Sequence, residues 1–236
     1  MNIEVSLSPA LYPFRTLKER HVTVAIDLLR ATTAVCAAFQ AGCTCVLPLD
    51  TLEGIARFRE QGFLLAAERD GKKVGDAEYG NSPTEYLRNN LSGVKLAYST
   101  TNGTVSILRA ADAAVTLVAS FANLSALCSR LSALGLDVVL LCSGWKQDFC
   151  IEDTLVAGAI IEKLKTQNRE LSLLNDAANM AFDLWQVAKD DPYQYCQRCT
   201  HVHRLRRLGA SDDVLFAFRQ DTCPVVPTLK DGLLTL

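Results

Sequence analysis

Long apolar runs are missing from this chain. No stretch of its 236 residues approaches the roughly 20 consecutive apolar residues that a membrane-crossing helix needs, so no membrane span is expected. A basic excess is missing too. Lys plus Arg number 24 against 26 Asp plus Glu, a net charge of -2, which leaves no global positive surface for nucleic acid. The opening MNIEVSLSPALYPF has neither a basic start nor an apolar core, so a secretory signal is not expected. There is no linker, low-complexity segment or close repeat. No G-x-G-x-x-G follows the first apolar run, which argues against a dinucleotide-binding enzyme of Rossmann type. What remains is a globular chain whose ligand is small and whose anion binding, if any, is local.

Hydrophobic residues make up 49% and charged residues 21%, ordinary for a globular protein with a sizeable core. The length suits one domain, expected over residues 1–236. Cysteine is plentiful at 9, an odd count. Most of these residues (Cys36, Cys43, Cys45, Cys128, Cys142) lie inside apolar runs, where a thiol acts as a small hydrophobe. They read as reduced, and the compartment as cytoplasmic.

The apolar runs alternate in character. HVTVAIDLL (21–29), CTCVLPL (43–49), FLLAAERD (63–70), VKLAYS (94–99), AVTLVASF (114–121) and LDVVLLCSG (136–144) have strand length. Between them, ATTAVCAAFQAG (31–42), TLEGIARFREQG (51–62), SPTEYLRNN (82–90), NGTVSILRAADA (102–113) and ANLSALCSRLSALG (122–135) read as helices, several closed by glycine. IEDTLVAGAIIEKLKTQ (151–167) is a long helix with Glu152 and Asp153 in its first turn, where the dipole favours them. Residues 172–209 are expected to be mostly helical. CPVVPTL (223–229) is a candidate edge strand, because its prolines cannot donate to a ladder. The pattern predicts an α/β fold: a mostly parallel or mixed sheet flanked by helices, three-layer, with a helical C-terminal portion.

The polar residues collect where those strands end. Asp27 and Arg30 follow the first, with Thr32 and Thr33 beyond. Glu68 and Arg69 end the third. Ser99, Thr100, Thr101, Asn102, Gly103 and Thr104 follow the fourth, Ser120 and Asn123 the fifth. Cys142, Ser143 and Gly144 end the sixth, with Glu152 and Asp153 shortly after. In an open α/β sheet such ends face one crevice, where ligands bind. STTNGT (99–104), GNSP (80–83, with Asn81 and Ser82) and ATT (31–33) would each put hydroxyls or amides at a helix N-terminus, a setting that suits phosphate or sulfonate. The plainer reading of each is a helix cap.

Asp27, Glu68, Glu78, Glu152 and Asp153 could approach the same crevice. Carboxylates around an anion need a cation between them, and oxygen ligands of this kind suit Mg²⁺. Metal ligands are expected among Asp27, Glu68, Glu152 and Asp153. Structural alternatives are that Glu152 and Asp153 merely favour their helix dipole, that Glu68 pairs with Arg69 and that Asp27 pairs with Arg30. CQRC (196–199) with His201 and His203 looks like a zinc set, but lacks the loop that usually separates ligand pairs. It is expected to be ordinary helix. Cys142 is expected to be a buried thiol and not a nucleophile.

IDLLRATT, LAAERDG, GNSPTEY, STTNGT, ASFAN and the CSG…IED stretch, in this order and spacing, resemble the 2-phosphosulfolactate phosphatase family. The resemblance runs from about residue 20 to 165, with a weaker echo in RLRRLG and VVP. It implies an α/β fold and a Mg²⁺-dependent phosphatase that converts 2-phospho-3-sulfolactate and water into 3-sulfolactate and phosphate, a step of coenzyme M biosynthesis. It places Asp27, Arg30, Glu68 and Arg69 in the catalytic machinery and Asn81, Asn102, Gly103 and Asp153 in family motifs. Three departures bear on the substrate: Glu78 stands where the family pattern suggests Asp, CSGW replaces a more usual Cys-Ala-Gly, and HVHRL is divergent. The remaining substrate-binding candidates are Thr32, Thr33, Ser82, Ser99, Thr101, Thr104, Ser120, Asn123, Ser143 and Gly144. Arg30 is expected to grip phosphate, with Asn102, Gly103, Thr104 and Arg69 on the sulfonate or carboxylate. Other readings are a phosphatase of a related 2-phospho-hydroxy acid and a non-catalytic phosphate- or sulfonate-binding protein. The expected partner is a small anionic substrate, with no nucleic acid and no membrane, and a homodimer is compatible with the sequence.

Overall fold

The alternation is present, and it is longer at both ends than the sequence pattern indicates. The computed structural model describes residues 1–168 and 170–236. Its strands are β1 (Asn2–Ser6), β2 (His21–Ile26), β3 (Cys45–Leu49), β4 (Phe63–Arg69), β5 (Lys72–Lys73), β6 (Lys95–Ser99), β7 (Val115–Ala119), β8 (Asp137–Cys142), β9 (Ser172–Leu173), β10 (Thr228–Lys230) and β11 (Leu233–Thr235). The α-helices are α1 (Ala31–Gln40), α2 (Pro83–Arg88), α3 (Gly103–Arg109), α4 (Leu124–Leu134), α5 (Ile151–Gln167), α6 (Asp176–Ala188), α7 (Pro192–Tyr195), α8 (Thr200–Arg207) and α9 (Ser211–Ala217). Residues Ile55–Gln61 form a 3-10 helix where an α-helix was expected. None of these helices is long and apolar enough to cross a membrane.

All strands join one sheet in the order β5-β4-β6-β3-β11-β10-β7-β2-β8-β1-β9. Two parallel groups, β4-β6-β3 and β7-β2-β8-β1, lie on either side of the β10–β11 hairpin, which pairs antiparallel with both. Every residue of β2 is buried, as a central strand covered on both faces requires. Its Val22, Val24 and Ile26 face a core completed by α4, α5, α6 and α8. Ala25 faces the opposite core, built on α1. The three-layer arrangement follows from this alternation.

The candidate edge strand is corrected. Residues 223–227 are irregular, and the strand begins at Thr228, in the sheet interior between β7 and β11. Pro227 lacks an N–H, but its carbonyl accepts from Val118 N–H at 3.0 Å, so proline leads into an inner strand without an unmet partner. The hairpin turns through Asp231 and Gly232, both at positive φ (51° and 80°), which suits a tight Asp-Gly turn.

Candidate active site

Asp27 follows β2 directly. The turn into α1 is tied by its own threonines. Thr32 Oγ1 donates to the Asp27 carbonyl at 2.8 Å and accepts from Asp27 N–H at 3.0 Å, and Thr33 Oγ1 donates to the Leu28 carbonyl at 2.8 Å. Asp27 Oδ1 accepts from Ala31 N–H at 3.2 Å. No donor among the described residues reaches Oδ2, although the residue is only 6% exposed. Gly103 opens α3 against this carboxylate: a Cβ there would lie 2.7 Å from Asp27 Oδ2 and 2.3 Å from the Ala31 Cβ. Only glycine allows that approach. Burial pushes the Asp27 carboxyl pKa up to about 6, and the nearby Glu68 and Glu152 push the same way.

Asp27 and Glu68 line one narrow polar cleft together with Arg30, Asn81, Asn102, Trp145, His201 and Arg204. Glu68 accepts from Thr101 Oγ1 at 3.0 Å, from Thr101 N–H at 3.3 Å and from Gly71 N–H. The other two acids of the expected metal set do not line the cleft. Asp153 accepts from Leu28 N–H and Gly144 N–H, each at 2.9 Å, and so clamps the turn after β2 to the turn after β8. Burial raises its pKa well above the carboxylate range, reinforced by Asp27 and Glu152. Glu152 Oε1 lies 2.9 Å from His201 Nδ1. Of the four acids, two line the cleft and two are engaged beside it, Asp153 with backbone N–H groups and Glu152 with His201.

The arginines divide in the same way. Arg30 Nη1 meets Asp213 Oδ2 at 2.6 Å with both side chains buried, and Nη2 donates to the Gly71 carbonyl at 2.9 Å. This takes the place of the expected pairing with Asp27, and Arg30 still lines the cleft. Arg69 donates to the Glu68 carbonyl at 2.6 Å and to Ser99 Oγ at 2.9 Å, and it does not line the cleft. Arg204 differs from both. Its guanidinium lies 3.3 Å over the Trp145 ring, and Nη2 is 2.8 Å from His201 Nε2. No carboxylate among the described residues is within salt-bridge distance of it. Because guanidinium only donates, Nε2 is the acceptor and the imidazole proton sits on Nδ1, facing Glu152.

Ligand atoms of Cys150, Glu152 and His201, all buried, lie within 4.8 Å of one another. The CQRC segment is only partly the expected helix: Cys196–Arg198 form a 3-10 turn, and α8 starts at Thr200. His203 is exposed and His201 buried. Cys142 is fully buried, and burial pushes its thiol pKa well up.

The hydroxyl-rich turns hold the chain together more than they open to a ligand. Thr104 Oγ1 accepts from Thr100 N–H at 3.1 Å and donates to the Thr100 carbonyl at 3.2 Å. Ser99 Oγ donates to the Thr51 carbonyl. Ser82 caps α2 and donates to Asp213 at 2.7 Å. Asn81 Oδ1 accepts from Tyr98 OH, and Asn102 Oδ1 accepts from Lys146 N–H at 3.0 Å; both residues line the cleft. Ser143 Oγ is buried without a partner among the described residues. Ser120 and Asn123 are not brought to the cleft. They cap each other in a reciprocal box, and Asn123 Nδ2 donates to the Val118 and Val225 carbonyls, which corrects the expectation that all six strand-end groups share one rim. Glu78 also points elsewhere, toward Arg59 and Leu65 N–H.

Sequence reasoning missed Trp145, Gly71 and Asp213 and left His201 and Arg204 without a role. Two signals were present: Trp145 closes the divergent CSGW stretch, and Arg204 opens the RLRRLG echo.

The family model described as 2-phosphosulpholactate phosphatase matches residues 7–232. Three similar proteins are each named "Probable 2-phosphosulfolactate phosphatase". That of Thermotoga petrophila is 34% identical, covering 92% of this chain and 93% of its own. That of Caldanaerobacter subterraneus subsp. tengcongensis is 33% identical over 93% and 91%, and that of Carboxydothermus hydrogenoformans is 35% identical over 92% and 91%. With a match over nearly its whole length and a cleft built from the residues that carried the resemblance, the chain belongs to the 2-phosphosulfolactate phosphatase family.

Proposed function

We propose that this protein is a Mg²⁺-dependent phosphatase that hydrolyses 2-phospho-3-sulfolactate to 3-sulfolactate and phosphate, a step of the coenzyme M biosynthesis type. Family membership supports the reaction. The observation that carries the site assignment is the Asp27 carboxylate: buried, with no donor to Oδ2 among the described residues, and lining a polar cleft beside Glu68. The donor set fits a hard divalent ion, which takes one or two carboxylates and keeps water and substrate oxygens for the rest. Asp27 and Glu68 would hold it. Such an ion supplies Lewis-acid stabilisation of charge on the phosphoryl oxygens. Asp27 also meets the requirements of a nucleophile that takes the phosphoryl group, since its free oxygen is fixed by the Oδ1–Ala31 bond. The Asp153 clamp on Leu28 N–H sets the turn that aims it. Nine free, buried thiols suit a reducing, cytoplasmic setting.

The test is phosphate release from 2-phospho-3-sulfolactate with Mg²⁺ and in excess chelator. Release that stops on chelation and returns with Mg²⁺ supports the reading. Equal release in both conditions refutes the metal requirement, and no release in either refutes the reaction. A trapped phosphoaspartate at Asp27 would assign it as nucleophile.

A further inference from the structure

Resting on that activity, we infer that Arg204 receives the sulfonate of the substrate, held in readiness by Trp145 and by the Glu152–His201 pair. The substrate carries a phosphate, a carboxylate and a sulfonate. A cleft that accepts three anions needs cationic donors that are not already neutralised. Arg30 lines the cleft, but its charge is matched by its buried pair with Asp213. Arg69 lies behind the Glu68 backbone and outside the lining. Among the described cleft-lining residues, Arg204 is the arginine whose charge has no carboxylate partner, and one of its five N–H donors is engaged.

The guanidinium is also preorganised. Its Cζ lies over the Trp145 ring at 3.3 Å from the centroid, and Nη2 is held by His201 Nε2 at 2.8 Å. His201 is itself fixed by Glu152. Trp145 sits in a strapped loop: its N–H and carbonyl both pair with Asp148, at 2.9 and 3.0 Å. Lys146 N–H donates to Asn102, and Lys146 Nζ meets Asp70 at 2.9 Å. A planar fork held in this way grips two oxygens of an oxyanion at little entropic cost.

The choice of anion follows from the substrate's connectivity. The carboxylate is attached to the carbon that bears the phosphate ester. The sulfonate is on the next carbon, one bond farther from phosphorus. Asp27 and Glu68 mark the phosphoryl end, and Arg204 enters on α8, a separate element. The sulfonate, as the longer arm, is therefore the group assigned to it. This moves sulfonate recognition away from Arg69, which donates to Glu68 and Ser99, and from Thr104, whose hydroxyl is bonded to Thr100.

The test compares 2-phospho-3-sulfolactate with phospholactate, which lacks the sulfonate, in the full-length enzyme with Mg²⁺. Arg204→Gln should lower kcat/KM for 2-phospho-3-sulfolactate by about 100-fold, mainly through KM, and that for phospholactate by less than about threefold. Arg204→Lys should recover part of the loss, because charge returns without the fork. Calorimetry supplies a readout independent of turnover: the wild type should bind 3-sulfolactate, and Arg204→Gln should lose that binding while still binding inorganic phosphate. Equal losses on both substrates, or retained 3-sulfolactate binding, would overturn the assignment. Failure of the proposed activity looks different: the wild type would turn over neither substrate, and the calorimetric comparison would still decide whether Arg204 holds a sulfonate.

Discussion

The two walls of the cleft are built on opposite principles. The wall from the turns after β2, β4 and β6 is dense with polar side chains, and most of them are engaged with one another: Thr32 with Asp27, Thr101 with Glu68, Thr104 with Thr100, Arg30 with Asp213. The wall from the Trp145 loop and α8 is sparse, and its Arg204 keeps most of its donors unengaged. A run of short hydrogen-bonding residues thus marks where a carboxylate must be held still. An arginine on an aromatic face marks where a ligand's charge can be met. The first wall fixes Asp27 and Glu68 for chemistry, and the second is free to read the substrate.

The strongest way to break this contrast is to unclasp Arg30. Asp213→Ala would leave a buried guanidinium without its partner and would also strip Ser82 and Thr84 of their acceptor. Removing one member of a buried pair costs about 3–5 kcal/mol. The urea midpoint should fall accordingly with the slope unchanged. A loss below about 1 kcal/mol would mean that the charge of Arg30 is not matched by Asp213 and is available to an anion, which would erase the distinction between Arg30 and Arg204.

Asp27→Asn sharpens the contrast from the chemical side. Turnover should drop by about 100-fold, the scale of losing one aimed electrostatic partner. Stability should move the other way. The folded carboxyl titrates at about 6 against an ordinary 3.8, so the native state favours its protonated form. That contribution is fully present below the unfolded value near 4 and is lost as pH rises through 6. In excess chelator, the wild type should lose about 3 kcal/mol relative to Asp27→Asn between pH 4 and pH 8. Thermal melts of the two proteins across that range check it; parallel curves would show that burial places no strain on this carboxylate.

The parallel groups of strands were legible because β-branched and apolar runs of strand length alternate with helical ones, and Asp27 and Glu68 because they stand at the ends of such runs. The strand β1 was not, since NIEVS places Glu4 among apolar neighbours; that carboxylate is buried by accepting from Thr16 and Leu17 N–H, a long-range device with no local signature. The β10–β11 hairpin had a signature in Lys230-Asp231-Gly232-Leu233, but the prolines before it drew attention to an edge. His201 and Arg204 could not be placed from spacing, because their positions depend on contacts of α8 with Glu152 and Trp145, which lie far away in sequence.

The smallest change asks which wall reads the sulfonate. Thr104→Val keeps shape and removes a hydroxyl that accepts from Thr100 N–H and donates to the Thr100 carbonyl. Both residues are buried, so the amide loses its partner in a dry place, at a cost of about 1 kcal/mol or slightly more. The cost should appear as a lower melting temperature. It should not appear in the ratio of kcat/KM for 2-phospho-3-sulfolactate to that for phospholactate, because the hydroxyl is turned into its own turn and away from the substrate. The helix α3 reinforces the point: it presents Gly103 to Asp27 at its first residue, where the space is already filled by Ala31 and the carboxylate. If Thr104→Val nonetheless narrows the ratio, the hydroxyl touches the sulfonate, Arg204 serves another group, and the densely bonded wall both holds the carboxylates and reads the substrate.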